Sequence, residues 1–160
     1  MNIQSQSGLA TVEFAVVAAV LMTIIIAVVD LGRLFYIVAA LNESTRRGAR
    51  AAVVCPINDP AIGQIAVFNA SGNSGASPLV NNLAPSHIVV QYLTGNGSQV
   101  ADPAGTGFLN IRYVRVSIGG GFQLQTLIPG LSLVIPAPDF AATLPRESLG
   151  IPRTGEVVPC

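Results

Sequence analysis

The chain has 160 residues, of which 51% are hydrophobic and only 10% charged, and its formal net charge is zero. This length accommodates one folded domain and one membrane anchor. The balanced charge gives no electrostatic reason to expect nucleic acid or an anionic substrate as a partner, and so few charges are unusual for a cytoplasmic domain.

A long apolar run lies near the N-terminus. After a single acid at Glu13, residues 14–29 contain no charge. A spanning helix needs roughly 20 apolar residues, and residues 9–12 extend the run to that length, so we predict a transmembrane segment over residues 9–29. An acid this close to lipid usually marks a function. The alternative is an interfacial carboxylate that the helix dipole favours in the first turn.

The same helix is predicted to continue beyond the membrane as an amphipathic extension over residues 30–54. No proline occurs before Pro56, and a helix over residues 9–54 would be about 69 Å long, roughly twice the hydrocarbon thickness. Asp30 and Arg33 are spaced to form an ion pair on one helix face where the helix should leave the bilayer. Beyond Asp30, apolar residues at helical spacing predict one stripe that requires a soluble partner: Leu31, Leu34, Phe35, Val38, Leu41, Thr45, Ala49, Ala52 and Val53.

Residues 55–160 are predicted to form an α+β domain. Asp59 followed by Pro60 is typical of an N-cap and the first position of a short helix, which Ile62, Ile65 and Phe68 would line. Alternating apolar and polar residues predict strands over residues 87–93, 110–118, 122–125, 132–135 and 140–144. The simplest fold is a small antiparallel sheet packed on the amphipathic half of the long helix.

The two cysteines, Cys55 and Cys160, are predicted to form a disulfide if the domain lies in an oxidising compartment. A reactive thiol at Cys55 is the alternative, but it needs a base, and His87 is the only histidine. One histidine and two distant cysteines are a poor set of metal ligands, and the glycines match no nucleotide-binding motif. We therefore expect no enzymatic activity, no cofactor and no metal.

Two features of the N-terminal third resemble known proteins. The string GLATVEF at residues 8–14 resembles a type IV prepilin processing site, in which a peptidase cuts after the glycine and the glutamate becomes the fifth mature residue. The wider pattern over residues 8–54 contains VEF, the apolar run, DLGRLFY and RRGARAAV. It resembles the TadE-like family of Flp/Tad pilus-assembly proteins. The ATLPRESL string at residues 142–149 is more loosely similar to the family's C-terminal strand.

The resemblance implies a leader peptide of residues 1–8 that prepilin peptidase removes by cleavage between Gly8 and Leu9. It also implies that Glu13 of one subunit sets the assembly register by pairing with the new amine of Leu9 on a neighbour. The expected partners are prepilin peptidase, other pilin-like subunits, the Tad pilus assembly machinery and membrane lipid, with no nucleic acid.

The resemblance further implies a single-pass protein of the bacterial inner membrane whose C-terminal domain is extracytoplasmic and which is associated with the pilus. Arg46, Arg47 and Arg50 would favour the opposite orientation under the positive-inside rule. Arg46 is 17 residues beyond Val29, however, and the rule weakens with distance from the membrane, so we retain the family topology.

Four functions are compatible with the sequence. The leading hypothesis is a non-catalytic pilin-like subunit, either a minor pilin or a stationary assembly factor of a Tad pilus. The second is an anchored extracytoplasmic binding module that never enters a filament, and the third is a membrane-tethered thiol hydrolase using Cys55 and His87. The fourth is a secreted protein, although the N-terminal run lacks the basic start and cleavage site of an ordinary signal peptide.

Overall fold

The computed structural model describes residues 7–119, 121–125, 134–136, 138–151 and 155–160. Within these residues two α-helices and five strands occur: α1 (Ser7–Val54), α2 (Pro60–Ala66), β1 (Ile88–Leu93), β2 (Tyr113–Ile118), β3 (Gln123–Gln125), β4 (Val134–Pro136) and β5 (Ala141–Pro145). Single turns of 3₁₀ helix, Pro85–His87 and Phe108–Asn110, precede β1 and β2. The predicted architecture is confirmed, because a long N-terminal apolar helix packs on a small antiparallel sheet.

Helix α1 is continuous over 48 residues, which corresponds to a length of about 72 Å. It ends just before Pro56, which cannot donate a backbone hydrogen bond. The last carbonyl groups of a helix need outside donors, and here the chain returns to supply them. The amides of Leu149 and Gly150 donate to the carbonyls of Val53 and Val54 at 3.1 and 2.6 Å.

The main sheet has the strand order β1-β2-β5, and both pairings are antiparallel. In the central strand β2, the buried residues Val114, Val116 and Ile118 alternate with the more exposed Tyr113 and Arg115, because successive side chains of a strand point to opposite faces. A separate antiparallel ladder joins β3 to β4.

Strand boundaries differ slightly from the prediction. His87 closes a 3₁₀ turn rather than opening β1, and residues 108–110 form another turn before β2 begins at Tyr113. Of the strand predicted over residues 132–135, residues 132 and 133 lie outside the described part of the chain, and β4 covers Val134–Pro136.

Helix α2 begins as predicted. The Asp59 carboxylate accepts a hydrogen bond of 2.8 Å from the amide of Ala61, and Pro60 occupies the first helical position. Ile62 is buried, as expected, but Ile65 and Phe68 are only half-buried, and the other buried positions are Ala61, Gln64 and Ala66.

The core consists of two clusters along α1. The cluster near the C-terminal end of α1 joins Ala49, Ala52 and Val53 to β1, β2 and Leu149. The cluster nearer the middle of α1 joins Ile37, Ala40 and Leu41 to residues Val67, Val80, Leu83, Ile118 and Phe122. The domain therefore covers one side of α1 and leaves the other side uncovered.

The predicted stripe on α1 is wrong in its first half. Leu31, Phe35 and Val38 are 55%, 74% and 37% exposed. Asp30 and Ile37 are buried on the domain side instead. The prediction placed the apolar residues at helical spacing against the domain, but in this part of α1 the domain side carries Asp30 and Arg33 and the more apolar side stays uncovered. From Leu41 onward the predicted positions are correct, since Leu41, Thr45, Ala49, Ala52 and Val53 are all buried.

Candidate membrane and assembly segment

The N-terminal half of α1 makes almost no contact with the other residues that the structure describes. Side chains along this half are exposed, including Leu9 at 74%, Phe14 at 75% and Val29 at 66%. Within the described residues, α1 is the one helix whose length and apolar composition allow it to cross a membrane. The segment 9–29 would extend about 32 Å, close to the hydrocarbon thickness of about 30 Å. An uncovered apolar surface of this size is typical of a surface that contacts lipid or another protein.

The predicted processing site lies at the start of this helix. Helix α1 begins at Ser7, so Gly8 and Leu9 belong to its first turn, while residues 1–6 of the predicted leader lie outside the described part of the chain. Glu13 is exposed and lies four residues beyond Leu9. The Glu13 carboxylate therefore lies about one helical turn from the backbone amine that cleavage would create at Leu9.

Asp30 and Arg33 lie where α1 first meets the domain. The Arg33 Nη1 atom is 3.9 Å from the Asp30 Oδ1 atom. Asp30 is 5% exposed, and the Arg33 side chain is 31% exposed. The pair therefore lies on the domain side of α1, which the sequence did not indicate.

Cys55 and Cys160 form the predicted disulfide. Their Cα atoms are 5.6 Å apart, and 105 residues separate them in the sequence. Further hydrogen bonds hold the C-terminal residue in place. The Cys160 amide donates to the Asp59 Oδ2 atom at 3.3 Å, and the Ser71 hydroxyl donates to the Cys160 carbonyl at 3.2 Å. The C-terminus is thus fastened to the end of α1.

His87 has structural contacts in this fold. Its Nδ1 atom accepts a hydrogen bond of 3.0 Å from the Ala84 amide, and its ring packs edge-on against Phe122 at 5.6 Å. Cys55 is bonded to Cys160, so in this oxidised form it carries no thiol for a hydrolase mechanism. In the described part of the chain, no group of three His, Cys, Asp or Glu residues could hold a metal ion.

The segment 142–149 completes the attachment of the domain to α1. Arg146 follows β5, and its Nη1 atom donates to the Phe108 carbonyl at 2.9 Å while the guanidinium lies 5.0 Å from the centre of the Phe108 ring. The Ser148 hydroxyl donates to the Val54 carbonyl at 3.2 Å. The sequence suggested a strand here, but it gave no sign that the following turn would cap α1.

Sequence reasoning also did not identify the exposed apolar surface on the side of α1 that faces away from the domain. Leu31, Phe35 and Tyr36 are at least half exposed there. A signal was available, because Asp30 and Arg33 lie three residues apart on one side of the helix and leave the opposite side without charge.

The family comparison agrees with this division of the chain. Residues 8–50 match the model of the TadE-like protein family. The match includes the predicted processing site, the candidate membrane span and most of the part of α1 that packs on the domain. No curated protein and no solved structure matches the chain. The resemblance predicted from the sequence is therefore confirmed over residues 8–50, which all lie within α1.

Proposed function

We propose that this chain is a single-pass membrane protein of a Tad pilus, acting as a non-catalytic, pilin-like subunit. One observation carries the proposal. In the segment that matches the TadE-like family, a single unbroken helix has an uncovered apolar first half and a second half packed on a folded domain. The first half is suited to lipid or to a helical bundle, and the second half holds the domain rigidly at the membrane.

The physical basis for assembly is the chemical similarity of lipid and of a bundle of apolar helices. Moving an apolar helix from lipid into such a bundle changes its hydrophobic environment little, so packing contacts and polar pairs decide the association. Glu13 is the one charged residue between Gly8 and Asp30. A pair between Glu13 and the Leu9 amine of a neighbouring subunit would fix the axial register of two helices.

We also propose an extracytoplasmic location for the domain, residues 55–160. Structural disulfides persist in oxidising compartments and are rare in the cytoplasm. The bond between Cys55 and Cys160 joins the end of α1 to the chain's last residue, and it supports this orientation independently of the family.

Processing provides the first test. In a host that contains prepilin peptidase, the protein extracted from membranes should begin at Leu9, because the Gly8–Leu9 bond has the glycine and the Glu13 spacing of a prepilin site. Intact-mass measurement of the wild type and of Gly8→Ile decides this, and the variant should retain Met1. A wild type that also retains Met1 contradicts the pilin proposal and favours an anchored binding module.

Assembly provides the second test. Glu13→Gln keeps the size of the side chain and removes its charge, so we expect normal membrane insertion but about tenfold less pilus assembly, because an unpartnered charge would remain in a desolvated site. Glu43→Gln is the matched control, since it makes the same change at an exposed position of the same helix. If cells that carry either variant as their sole copy assemble pili equally well, Glu13 is only an interfacial acid.

The binding-module alternative has one structural observation in its favour. A groove of about 470 Å³ lies between α2 and β1 and includes Asp59, Gln64, Pro85 and Val90 in its lining. The Asp59 carboxylate already accepts hydrogen bonds from Ala61 and Cys160. The groove thus offers a surface but no catalytic arrangement, and the N-terminal mass decides between the two functions.

A further inference from the structure

The first two charges after the candidate span both lie on the domain side of α1. Successive helical residues are separated by about 100°, which places Asp30 and Arg33 on the same side as Ile37. Asp30 and Ile37 are buried against the domain. These charges end the apolar surface on the domain side only, and they do not interrupt the opposite side.

The opposite side of α1, which we call the outer face, stays apolar for several more residues. It consists of Leu31, Phe35, Tyr36 and Val38, which are 55%, 74%, 53% and 37% exposed. The first charged residue on this side is Glu43. On the outer side no charge therefore occurs between Glu13 and Glu43, and the apolar surface continues to residue 38, whereas on the domain side it ends at residue 29.

The end of each apolar surface corresponds to a level of the bilayer. Residues 9–29 extend about 32 Å, which is close to the hydrocarbon core of about 30 Å. Leu31 to Tyr36 lie about 3–11 Å beyond Val29 along the helix, which corresponds to the headgroup region of about 5–8 Å on this side and its boundary with water. The outer face thus falls at the level of the lipid headgroups, where tyrosine residues such as Tyr36 are enriched.

We propose that the outer face is embedded in the headgroup region of the membrane, so that the domain lies directly on the bilayer and covers the other side of α1. The inference rests on the proposed membrane span of residues 9–29. Lipid is the occupant because the outer face continues the lipid-exposed surface of that span without an intervening charge. The domain is then held at the membrane surface, with the charged pair of Asp30 and Arg33 shielded beneath it.

Tryptophan substitution can measure this placement, because the chain contains no tryptophan. Three apolar side chains have nearly equal exposure: Phe14 at 75% in the span, Phe35 at 74% on the outer face and Leu109 at 76% in the domain. The variants Phe14→Trp, Phe35→Trp and Leu109→Trp are made in the full chain. Each is reconstituted in phosphatidylcholine vesicles with and without bromine near the top of one acyl chain, and tryptophan fluorescence is recorded.

We expect bromine to quench Phe35→Trp to within about twofold of Phe14→Trp, because both positions contact lipid. Leu109→Trp should be unquenched and should emit at the wavelength of water-exposed tryptophan. If Phe14→Trp is quenched but Phe35→Trp behaves like Leu109→Trp, the outer face lies in water and this inference is wrong while the span stands.

Two other outcomes overturn the proposal in different ways. Blue-shifted but unquenched emission from Phe35→Trp that depends on the protein-to-lipid ratio would mean that a second copy covers the outer face. If bromine does not quench Phe14→Trp, the proposed membrane span is wrong, and the proposed function is wrong with it.

Discussion

The two halves of α1 are both apolar, but they differ in the size of their side chains. The half over residues 9–29 is dominated by large, mostly β-branched residues that remain exposed. On its domain side, the half over residues 30–54 has several small residues that are fully or nearly fully buried: Ala40, Ser44, Gly48, Ala49 and Ala52. Small side chains allow α2 and the sheet to approach the helix closely, whereas fluid lipid adapts to large ones. Hydropathy thus shows that a helix must be covered, and side-chain size indicates whether a folded domain covers it.

The second half is also fastened at its far end, whereas the first half has no comparable attachment to the other described residues. Val53, Val54 and Cys55 are held by the turn at residues 148–150 and by the C-terminal residue. The packed half should therefore lose stability when these attachments are removed, and the membrane half should be unaffected. The following experiments test that contrast.

The largest effect is expected from Cys160→Ser. In the chain-entropy model, a disulfide that closes a loop of about 100 residues stabilises a fold by as much as about 4.7 kcal/mol, and this one spans 105 residues. We expect the free energy of unfolding of the domain to fall by a few kcal/mol in denaturant titrations, while resistance of the protein to alkaline extraction from membranes is unchanged.

Reduction of the wild type is the control for this variant. Reductant should lower wild-type stability to the level of Cys160→Ser and should not affect the variant. The intact wild type should also be two hydrogens lighter than its reduced form, since a single disulfide replaces two thiols. Free thiols in the untreated protein, or a reducible dimer, would contradict the intramolecular bond.

Two glycines, Gly48 on the domain side of α1 and Gly32 on the opposite side, allow the packing of the two sides to be compared. A Cβ atom at Gly48 would lie 2.9 Å from the Ala66 Cβ atom and 3.0 Å from the Val116 Cγ1 atom, whereas one at Gly32 would meet nothing within 4 Å. Overpacking costs about 1–3 kcal/mol, and replacing a helical glycine by alanine returns about 0.5–1 kcal/mol. We expect Gly48→Ala to destabilise the domain by about 1–2 kcal/mol.

Gly32→Ala should leave the stability of the domain unchanged or raise it slightly, because it adds helix propensity without a clash. Both variants are measured by denaturant unfolding of the full chain in detergent. Equal effects of the two substitutions would show that α2 does not approach α1 as closely as the structure indicates.

The sequence predicted the features that depend on local chemistry. Pro56 marks the end of α1, Asp59 and Pro60 mark the start of α2, and the alternation of Val114, Val116 and Ile118 marks β2. The length and composition of α1 were also sufficient to predict a helix that extends beyond the membrane.

The features that the sequence did not predict depend on contacts between distant segments. The cap on α1 requires positive φ angles at Leu149 and Gly150, 48° and 79°, in a turn almost 100 residues away. The side of α1 that packs on the domain was misassigned at Leu31 and Phe35, because the more apolar side there is the uncovered one and only the folded domain shows which side is covered. The buried position of Asp30 was missed for the same reason.

The smallest expected effect concerns Tyr92, which shares the cluster at the end of α1 with Ala52 and Val53. Burial raises the pKa of its phenol above the ordinary value of 10.0, while the hydrogen bond that its oxygen accepts from the Asn58 amide at 3.4 Å acts in the opposite direction. A raised pKa in the folded state means that the unfolded chain loses the phenol proton first. The stabilising contribution is therefore complete below pH 10 and is lost as the pH rises from there through the folded-state pKa.

Tyr92→Phe should flatten this decline in denaturant unfolding, whereas Tyr113→Phe, at a position 41% exposed, should preserve it. The chain has no lysine and only three tyrosines, so few other side chains titrate in this range. A decline that persists in Tyr92→Phe would show that another group is responsible.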